Sequence, residues 1–478
     1  MSFTSFQFIL FFGIIYILNW SISNLDKNIS VKKYKIILLI ESVCFVVIAD
    51  WKTVISLIIL TVICQLAAVL MNKDNFSNAT RKRVLAVGLI IAIGQLGLFK
   101  YYDFFAENMC KMVGRIYTSS KLCIPIGISF FTFSAVAYLI DVYREKYKAY
   151  ESGLDLAVYL FFFPKLVSGP IVRPDKFQEQ LNEGKKRINL DNLQTGIQYV
   201  VWGLFKKMVL ADHLAVFVDD VFGAPVAFAS VTCIWAMVSY SLQIYFDFSG
   251  YSDMAIGFSK MLGIDIENNF DLPYISRNVT EFWKRWHISL SSWLQDYVYI
   301  SLGGNRKGLC RTKINLILTM FIGGLWHGAE WTFVIWGGIH GIALVIQKEF
   351  HKKRNKSSMG KLGECCSVIF TFIYITLTWV FFRADSIENA FLILKQAFSI
   401  KTGITQIYSW TWMAITFIIY EVALARINQK RKQLERTTVC YPIVRLDSAK
   451  NLMFFFVLIG LTIILAYVGE TAFIYGQF

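Results

Sequence analysis

Apolar residues in this chain come in long runs rather than in alternation. Runs at 3–20, 36–50, 53–71, 84–100 and 123–143 are separated by short polar stretches. A helix needs about 20 apolar residues to cross a bilayer, and fewer when it is tilted or held in a bundle. These five runs therefore predict membrane-spanning helices. Further runs lie at about 196–218, 226–248, 314–346, 367–382, 410–425 and 452–468. Together they predict an all-α, polytopic integral membrane protein of roughly ten to twelve membrane segments. The sequence carries no internal repeat.

Four stretches depart from this pattern. Residues 154–172 are apolar but contain Pro164-Lys165 and Ser168-Gly169-Pro170. Proline inside a helix removes a hydrogen bond and clashes with the preceding turn. Broken backbone at membrane depth survives only inside protein or against a watery cavity, so a re-entrant or kinked element is expected here. Residues 265–313 are too polar to span, and residues 386–399 read as amphipathic. The 33 residues of 314–346 are apolar between two basic flanks, Arg311/Lys313 and Lys352/Lys353/Arg354, and hold Gly323, Gly324, Gly328, Gly337 and Gly338. They are expected to enter and leave on one side, or to form a tight helical pair. The chain reads as one membrane-embedded domain, 1–478: N-terminal helices to 150, a core over 151–346 that includes segment 265–313, and C-terminal helices over 347–478.

Composition sharpens this reading. Hydrophobic residues are 56% of the chain and charged residues 17%, against roughly 45–50% and 25% in ordinary globular proteins. Mean hydropathy is +0.50. The net charge of +15 would suggest nucleic acid in a soluble protein. Here the lysines and arginines sit in loops between apolar runs, as cytoplasmic loops of membrane proteins do. The lipid bilayer, and no nucleic acid, is the implied partner. Lys27, Lys32, Lys33 and Lys35, then Arg81, Lys82 and Arg83, then Arg144, Lys146 and Lys148 can all face the cytoplasm together, which puts the N-terminus outside. The first run lacks a basic n-region and a clear cleavage site, so it reads as a retained span. The nine cysteines show no zinc spacing and no C-x-x-C, so no metal site is expected.

Candidate chemistry rests on five histidines. His351 stands in a basic loop and His213 near a helix end; neither points to a role. His327 and His340 lie in the glycine-rich apolar stretch, as Gly-Gly-Leu-Trp326-His327-Gly and Trp-Gly-Gly-Ile-His340-Gly. An ionisable side chain at membrane depth is a functional candidate by default; the alternative is a satisfied histidine that packs a helix pair. On one straight helix the two would stand about 20 Å apart on nearly opposite faces. His287 follows Glu281-Phe-Trp-Lys284-Arg285-Trp. Phe282, Trp286, Leu290, Trp293 and Tyr297 recur at helical spacing and predict one helix, capped by Asn278 with Glu281 as a partial capping box. Lys284 and Arg285 would face the cytoplasmic interface, where phosphate could meet them. Gly-Gly-Asn305-Arg306-Lys307-Gly is a basic, glycine-rich turn.

Taken in order, these words form a pattern. Tyr245-Phe-Asp-Phe-Ser-Gly-Tyr-Ser-Asp-Met-Ala, Asn269-Phe…Pro273-Tyr, Glu281-Phe-Trp-Lys-Arg-Trp-His287-Ile-Ser-Leu, Asp296-Tyr…Leu302-Gly-Gly-Asn-Arg and Gly324-Leu-Trp-His327-Gly-Ala…Trp331, with Phe163-Pro-Lys-Leu-Val-Ser-Gly-Pro-Ile before them, resemble the membrane-bound O-acyltransferase family across roughly residues 95–345. The Gly-Gly-Asn-Arg turn and the terminal Phe473-Ile-Tyr-Gly-Gln-Phe are similar to its bacterial branch that acetylates alginate and peptidoglycan.

The resemblance implies a fold around a central tunnel in a bacterial cytoplasmic membrane. It assigns His327 to the family histidine and His287 to the second histidine of that branch. It implies a cytoplasmic thioester donor, acetyl-CoA or an acylated carrier, and no tightly bound cofactor. The acceptor is an extracytoplasmic polysaccharide, reached directly or through a secreted or membrane-anchored SGNH-type acetyltransferase. The residues themselves suggest the remaining roles: Trp326, or backbone N–H groups around Gly323, Gly324 and Gly328, would hold the oxyanion. Lys284, Arg285, Asn305 and Arg306 would meet the donor, and Asp296 would orient His287, cap the pathway or form an ordinary salt bridge. His340 remains a further binding candidate. D-alanyl transfer to teichoic acid and transport are the alternative functions.

Overall fold

The computed structural model describes residues 1–25, 30–120, 122–183, 188–353, 360–435, 448–469 and 473–474, with side chains outside 23–25, 351–353 and 428–435. Lys27, the loop lysines Lys185 and Lys186 with Arg187, the side chains of His351 to Lys353 with Arg354, and the last four residues lie outside the described residues. The described elements are helices joined by turns and short extended segments, with one isolated bridge between Phe228 and Ile404. The protein is all-α and membrane-embedded. Among the described residues, four helices are long and apolar enough to cross a bilayer (31–71, 78–112, 361–383 and 409–427), with shorter apolar helices at 6–22, 128–143 and 449–465. The internal contacts divide the chain into two units, 1–197 with 255–267 and 198–254 with 268–478.

In the first unit the helices are α1 (Phe6–Leu25), α2 (Val31–Met71), α3 (Asn78–Leu96), α4 (Tyr102–Met112), α5 (Ile128–Tyr143), α6 (Gly153–Phe161), α7 (Phe163–Leu166) and α8 (Pro174–Glu183). The runs at 36–50 and 53–71 are two halves of α2, which would measure about 60 Å if straight. The break falls at Asp50, whose backbone is extended (φ −164°, ψ 102°) and whose carboxylate accepts from Lys52 N–H and Thr53 Oγ–H. The side chain thus replaces helical hydrogen bonds where the axis turns. Phe3, Phe8, Phe12, Phe45, Phe163 and Phe258 build one aromatic core. The stretch predicted to break does so: α6 ends at Phe161, α7 is four residues long, and no regular element forms from Pro170 to Arg173. Gly127 holds φ +71°, and a Cβ there would strike the Leu166 carbonyl.

The second unit carries α9 from Gln198 onward (Leu190–Leu204), α10 (Asp212–Gly223), most of α11 (Ser230–Met261), α12 (Val279–Arg285), α13 (Ile288–Trp293), α14 (Leu309–His327), α15 (Trp331–Lys353), α16 (Lys361–Arg383), α17 (Ile387–Phe398), α18 (Ser409–Glu435) and α19 (Ala449–Leu465). A π-helical turn, Phe205–Ala211, joins α9 to α10. It buries Lys206 and Lys207. Lys206 pairs with Asp253 at 2.9 Å and Glu421 at 2.8 Å; Lys207 pairs with Asp212 and Asp247, both at 2.6 Å. The carbonyl of Met208 in this turn accepts from Tyr467 N–H at 2.9 Å. This network explains why α11 continues well past the expected end of its apolar run. Asp247 and Asp253 look too polar for a span in isolation, but each meets a lysine on the neighbouring element.

The stretch 314–346 is a tight helical pair. α14 and α15 fold back on each other across Gly328 to Glu330, with glycines at the seam. A Cβ on Gly324 would hit the Phe333 carbonyl and come within 3.2 Å of Gly337 Cα; one on Gly337 would hit the Met320 carbonyl. Glycine here serves helix-to-helix approach, as small residues do in membrane bundles.

Candidate functional site

The expected single helix over 278–297 is not formed. Asn278 caps α12 as predicted, its Oδ1 accepting from Glu281 N–H at 2.8 Å. The Glu281 carboxylate reaches back to Arg277 N–H rather than to the cap itself. Burial would raise the Glu281 pKa, but the hydrogen bond from Arg277 N–H and the charges of Arg285 and Arg277 outweigh it and hold the carboxyl below its usual range. α12 stops at Arg285, and His287 takes a left-handed backbone (φ 43°, ψ 55°) before α13 begins. For a non-glycine residue this conformation costs of order 1–3 kcal/mol and persists only where the surroundings impose it. Spacing alone could not show the break, because the aromatic stripe still faces one core on both sides of it. A second π-helical turn, Leu294–Tyr299, ends this segment.

Two paired contacts impose the break. Asp271 N–H donates to Arg285 O at 2.9 Å, and Ile288 N–H donates to Asn269 O at 2.9 Å. Arg285 also donates to the Asp271 carbonyl and carboxylate, each at 3.0 Å. Segment 269–271 thus clamps the chain on either side of His287. The imidazole is fully buried, edge-on to Phe248 (centroids 4.6 Å) and against Trp326 (5.7 Å). Its Nδ1 lies 3.2 Å from Asn269 Oδ1. Burial pushes its pKa down to about 3, so the ring is neutral at physiological pH.

His327 ends α14 and is buried at the turn of the hairpin. Its ring meets Trp326 (4.8 Å), Phe382 (5.0 Å) and Trp336 (5.2 Å). Trp326 therefore touches both His287 and His327. The straight-helix spacing of His327 and His340 does not hold, because the chain reverses between them; Trp336 lies against both rings. His340 is a satisfied core histidine. Trp283 Nε1–H points at its Nδ1 (3.3 Å), and its Nε2 lies 3.1 Å from Thr378 Oγ1. The Thr378 hydroxyl donates to Ile375 O at 2.8 Å, so His340 Nε2 carries the proton and Nδ1 accepts. His213 stacks on Trp410 at 3.6 Å.

A cavity of about 550 Å³ lies beside this cluster. Its wall is mainly apolar and includes Trp283, Ile288, Leu294, Leu316, Met320 and Leu344, with Ser291, Ser292, Gln295, Lys284 and Lys348 among the polar groups. None of the histidines lines it. Ile288 follows His287 in the chain, and the indole of Trp283 separates the cavity from His340 and Trp336 (centroids 5.2 and 5.7 Å). Lys284 is exposed at this cavity, whereas Arg285 is engaged by Glu281 and Asp271. Asn305 and Arg306 are exposed in a turn whose Gly303 and Gly304 have positive φ. They are not among the cavity residues. Nδ1 of His287 faces the Asn269 side-chain oxygen. Asn269 and Lys348 were not singled out for chemistry from sequence; the Asn269-Phe word held the only signal. Of the terminal words, Phe473 stacks on Tyr251 (4.6 Å), and Ile474 N–H donates to Asp247 at 2.9 Å.

The membrane-bound O-acyltransferase family model matches residues 5–384. The chain is 39% identical over 322 residues to a "Probable alginate O-acetylase AlgI" of Azotobacter vinelandii, covering 66% of this chain and 63% of that protein. It is 38% identical over 343 residues to a "Peptidoglycan O-acetyltransferase" of Helicobacter pylori, covering 66% and 65%. A "Teichoic acid D-alanyltransferase" of Streptococcus thermophilus is 31% identical over 298 residues, covering 57% and 72%. The matches thus span just under two thirds of the length of the two acetyl-transferring relatives.

Proposed function

From the premise that this chain belongs to the membrane-bound O-acyltransferase family, we propose that it is an O-acetyltransferase of a bacterial cytoplasmic membrane. It takes an acetyl group from a cytoplasmic thioester, acetyl-CoA or an acylated carrier, and passes it to a hydroxyl on the opposite side. The final acceptor is a cell-envelope polysaccharide, as the names of the relatives suggest. The hydroxyl belongs to the polymer or to a secreted or membrane-anchored SGNH-type partner that relays the acetyl group. The basic turn before α14 faces the cytoplasm on this reading, and the N-terminus faces out.

The observation that carries the proposal is the placement of two buried imidazoles around one indole, Trp326, with an apolar-walled cavity of about 550 Å³ beginning at Ile288, the residue after His287. The 19 residues of α14 rise about 28 Å, close to the hydrocarbon thickness. With its basic start in the cytoplasm, His327 stands toward the outer side. Met320, on the cavity wall, lies about 10 Å below it on the same helix. On this reading Lys284 and Lys348, both lining the cavity, meet a donor's phosphates, while the apolar wall takes its arm.

An alcohol is a poor nucleophile until a base takes its proton. His327, buried in its aromatic enclosure, accepts that proton as the hydroxyl oxygen attacks the thioester carbonyl. The oxyanion is stabilised by hydrogen-bond donors, for which Trp326 is the candidate. As the C–S bond breaks, the same proton passes from His327 to the departing thiolate. Ester and free thiol result, with no net proton change. His287 accepts the hydrogen bond that aligns the incoming hydroxyl.

Reconstituted vesicles containing the full chain, supplied with labelled acetyl-thioester inside and acceptor glycan or partner outside, test this. Label should reach the acceptor and be lost in His327→Ala. Undiminished transfer in that variant would remove His327 as the base, no transfer by the unaltered chain would sink the proposal, and transfer only from a D-alanyl-charged carrier would replace it with the alanylation reading.

A further inference from the structure

The oxygen of the Asn269 side chain has three donors around it: Ser289 N–H at 3.1 Å, Ser289 Oγ–H at 2.9 Å and His287 Nδ1 at 3.2 Å. The first settles the rest. A backbone N–H can only donate, so the amide presents its oxygen on this side and its NH₂ on the other. There Nδ2 lies 3.5 Å from Ser252 Oγ. A ring nitrogen facing an amide oxygen must carry a proton. His287 is therefore the Nδ1–H tautomer, and its lone pair is on Nε2. The ring plane is fixed as well, by the edge contact to Phe248 and by Trp326.

We propose that Asn269 is a positioning residue for transfer: its amide oxygen sets the tautomer and orientation of His287, so that Nε2 accepts a hydrogen bond from the incoming hydroxyl. This rests on the reading of His287 given above. The backbone of Asn269 also holds Ile288 N–H, but any side chain can supply that bond. Only an acceptor at Oδ1 chooses the tautomer. The charged groups nearest along the packed elements are already paired. Arg285 binds Asp271 and Glu281, and Asp247 beside Phe248 binds Lys207. His327 lies beyond Trp326. A charge introduced at position 269 would thus act on His287 directly.

Asn269→Asp and Asn269→Leu separate this role from simple packing. The aspartate keeps the shape and still accepts from all three donors, but its charge favours the imidazolium. The acid limb of acceptor-dependent transfer should rise by about one to three pH units, with activity recovered at high pH. Asn269→Leu keeps the bulk and loses the acceptor. Transfer should fall at every pH, by up to about 10²–10⁴, with KM for the acceptor raised and KM for the thioester unchanged. The double variant Asn269→Leu/His287→Ala should be no slower than His287→Ala alone, as for residues that act as a unit. Gel filtration and thermal melting of Asn269→Asp confirm that the variant is folded. An unshifted pH profile in folded Asn269→Asp, or additive losses in the double variant, would overturn the assignment while leaving the acyl-transfer reading standing. Full activity in His287→Ala would overturn the role given to His287 and the assignment of Asn269 with it, again leaving acyl transfer standing, whereas no transfer by the unaltered chain would overturn the acyl-transfer reading.

Discussion

Two adjacent glycines on α15 should respond in opposite ways to the same substitution. Gly337 sits on the seam of the α14–α15 hairpin. A Cβ there collides with the Met320 carbonyl and comes within 3.2 Å of Gly324 Cα. The atoms in the way are backbone, so no rotamer change relieves the clash, and the helices must part. Overpacking of this kind costs about 1–3 kcal/mol, against about 1 kcal/mol gained by replacing glycine with alanine in a helix. At Gly338 the nearest atom is a Phe321 ring carbon at 3.7 Å, an ordinary contact, so only the gain remains. Gly337→Ala should therefore be destabilised by up to about 2 kcal/mol and Gly338→Ala stabilised by up to about 1 kcal/mol. The rate should split further. His327 ends the helix that must move, and a displacement near 1 Å at a reacting group can cost about 10²-fold. Thermal unfolding in detergent and acetyl transfer in vesicles, measured on both variants, test the pair. Equal melting temperatures and equal rates would refute the close-approach argument for the seam.

Removing Lys206 (Lys206→Met) strands Asp253 and Glu421 in the interior and should cost about 3–5 kcal/mol; adding Asp253→Asn and Glu421→Gln should recover most of it in a melting experiment. His340→Ala should cost about 1–3 kcal/mol of stability, because Trp283 N–H loses its buried acceptor, yet retain transfer within a few-fold, unlike His327→Ala. Lys284→Ala with Lys348→Ala should raise KM for the thioester, and the effect should shrink as salt is added; an unchanged KM at low salt would remove the lysines from donor binding. Because His287 is protonated only near pH 3, it should contribute no acid limb to transfer between pH 5 and 8, and a limb in that range that disappears in His287→Gln would contradict its burial.

Much of this was legible in the chain. The apolar runs marked the helices because a membrane helix must be apolar over its whole length, and Pro164 and Pro170 marked the broken element because their missing N–H groups admit no helix. The paired reading of 314–346 held because both flanks are basic and glycines fill the middle. The words around His287 and His327 placed the two rings that Trp326 touches. What stayed hidden depended on partners distant in sequence. The break at His287 is imposed by residues 269–271, and a periodic stripe looks the same whether or not the helix is interrupted. The length of α11 follows from lysines some forty residues earlier. Position 340 carried glycine-rich surroundings like those of 327, and nothing in the sequence announced that the indole of Trp283 and the hydroxyl of Thr378 satisfy its ring.

The π-helical turn at Phe205–Ala211 has a consequence for natural variation. Such a turn holds one more residue than the α-helix it interrupts, so losing a residue there would mend the helix instead of breaking it. Every side chain on one side of the repair would then swing by about 100° relative to the other. Lys206 and Lys207 would leave their carboxylates, and Met208 would no longer offer its carbonyl to Tyr467. A shortened descendant could thus keep its helix content by circular dichroism while losing the ion pairs that let α11 stay in the interior. Length at this point in the chain is accordingly expected to be held more strictly than residue identity.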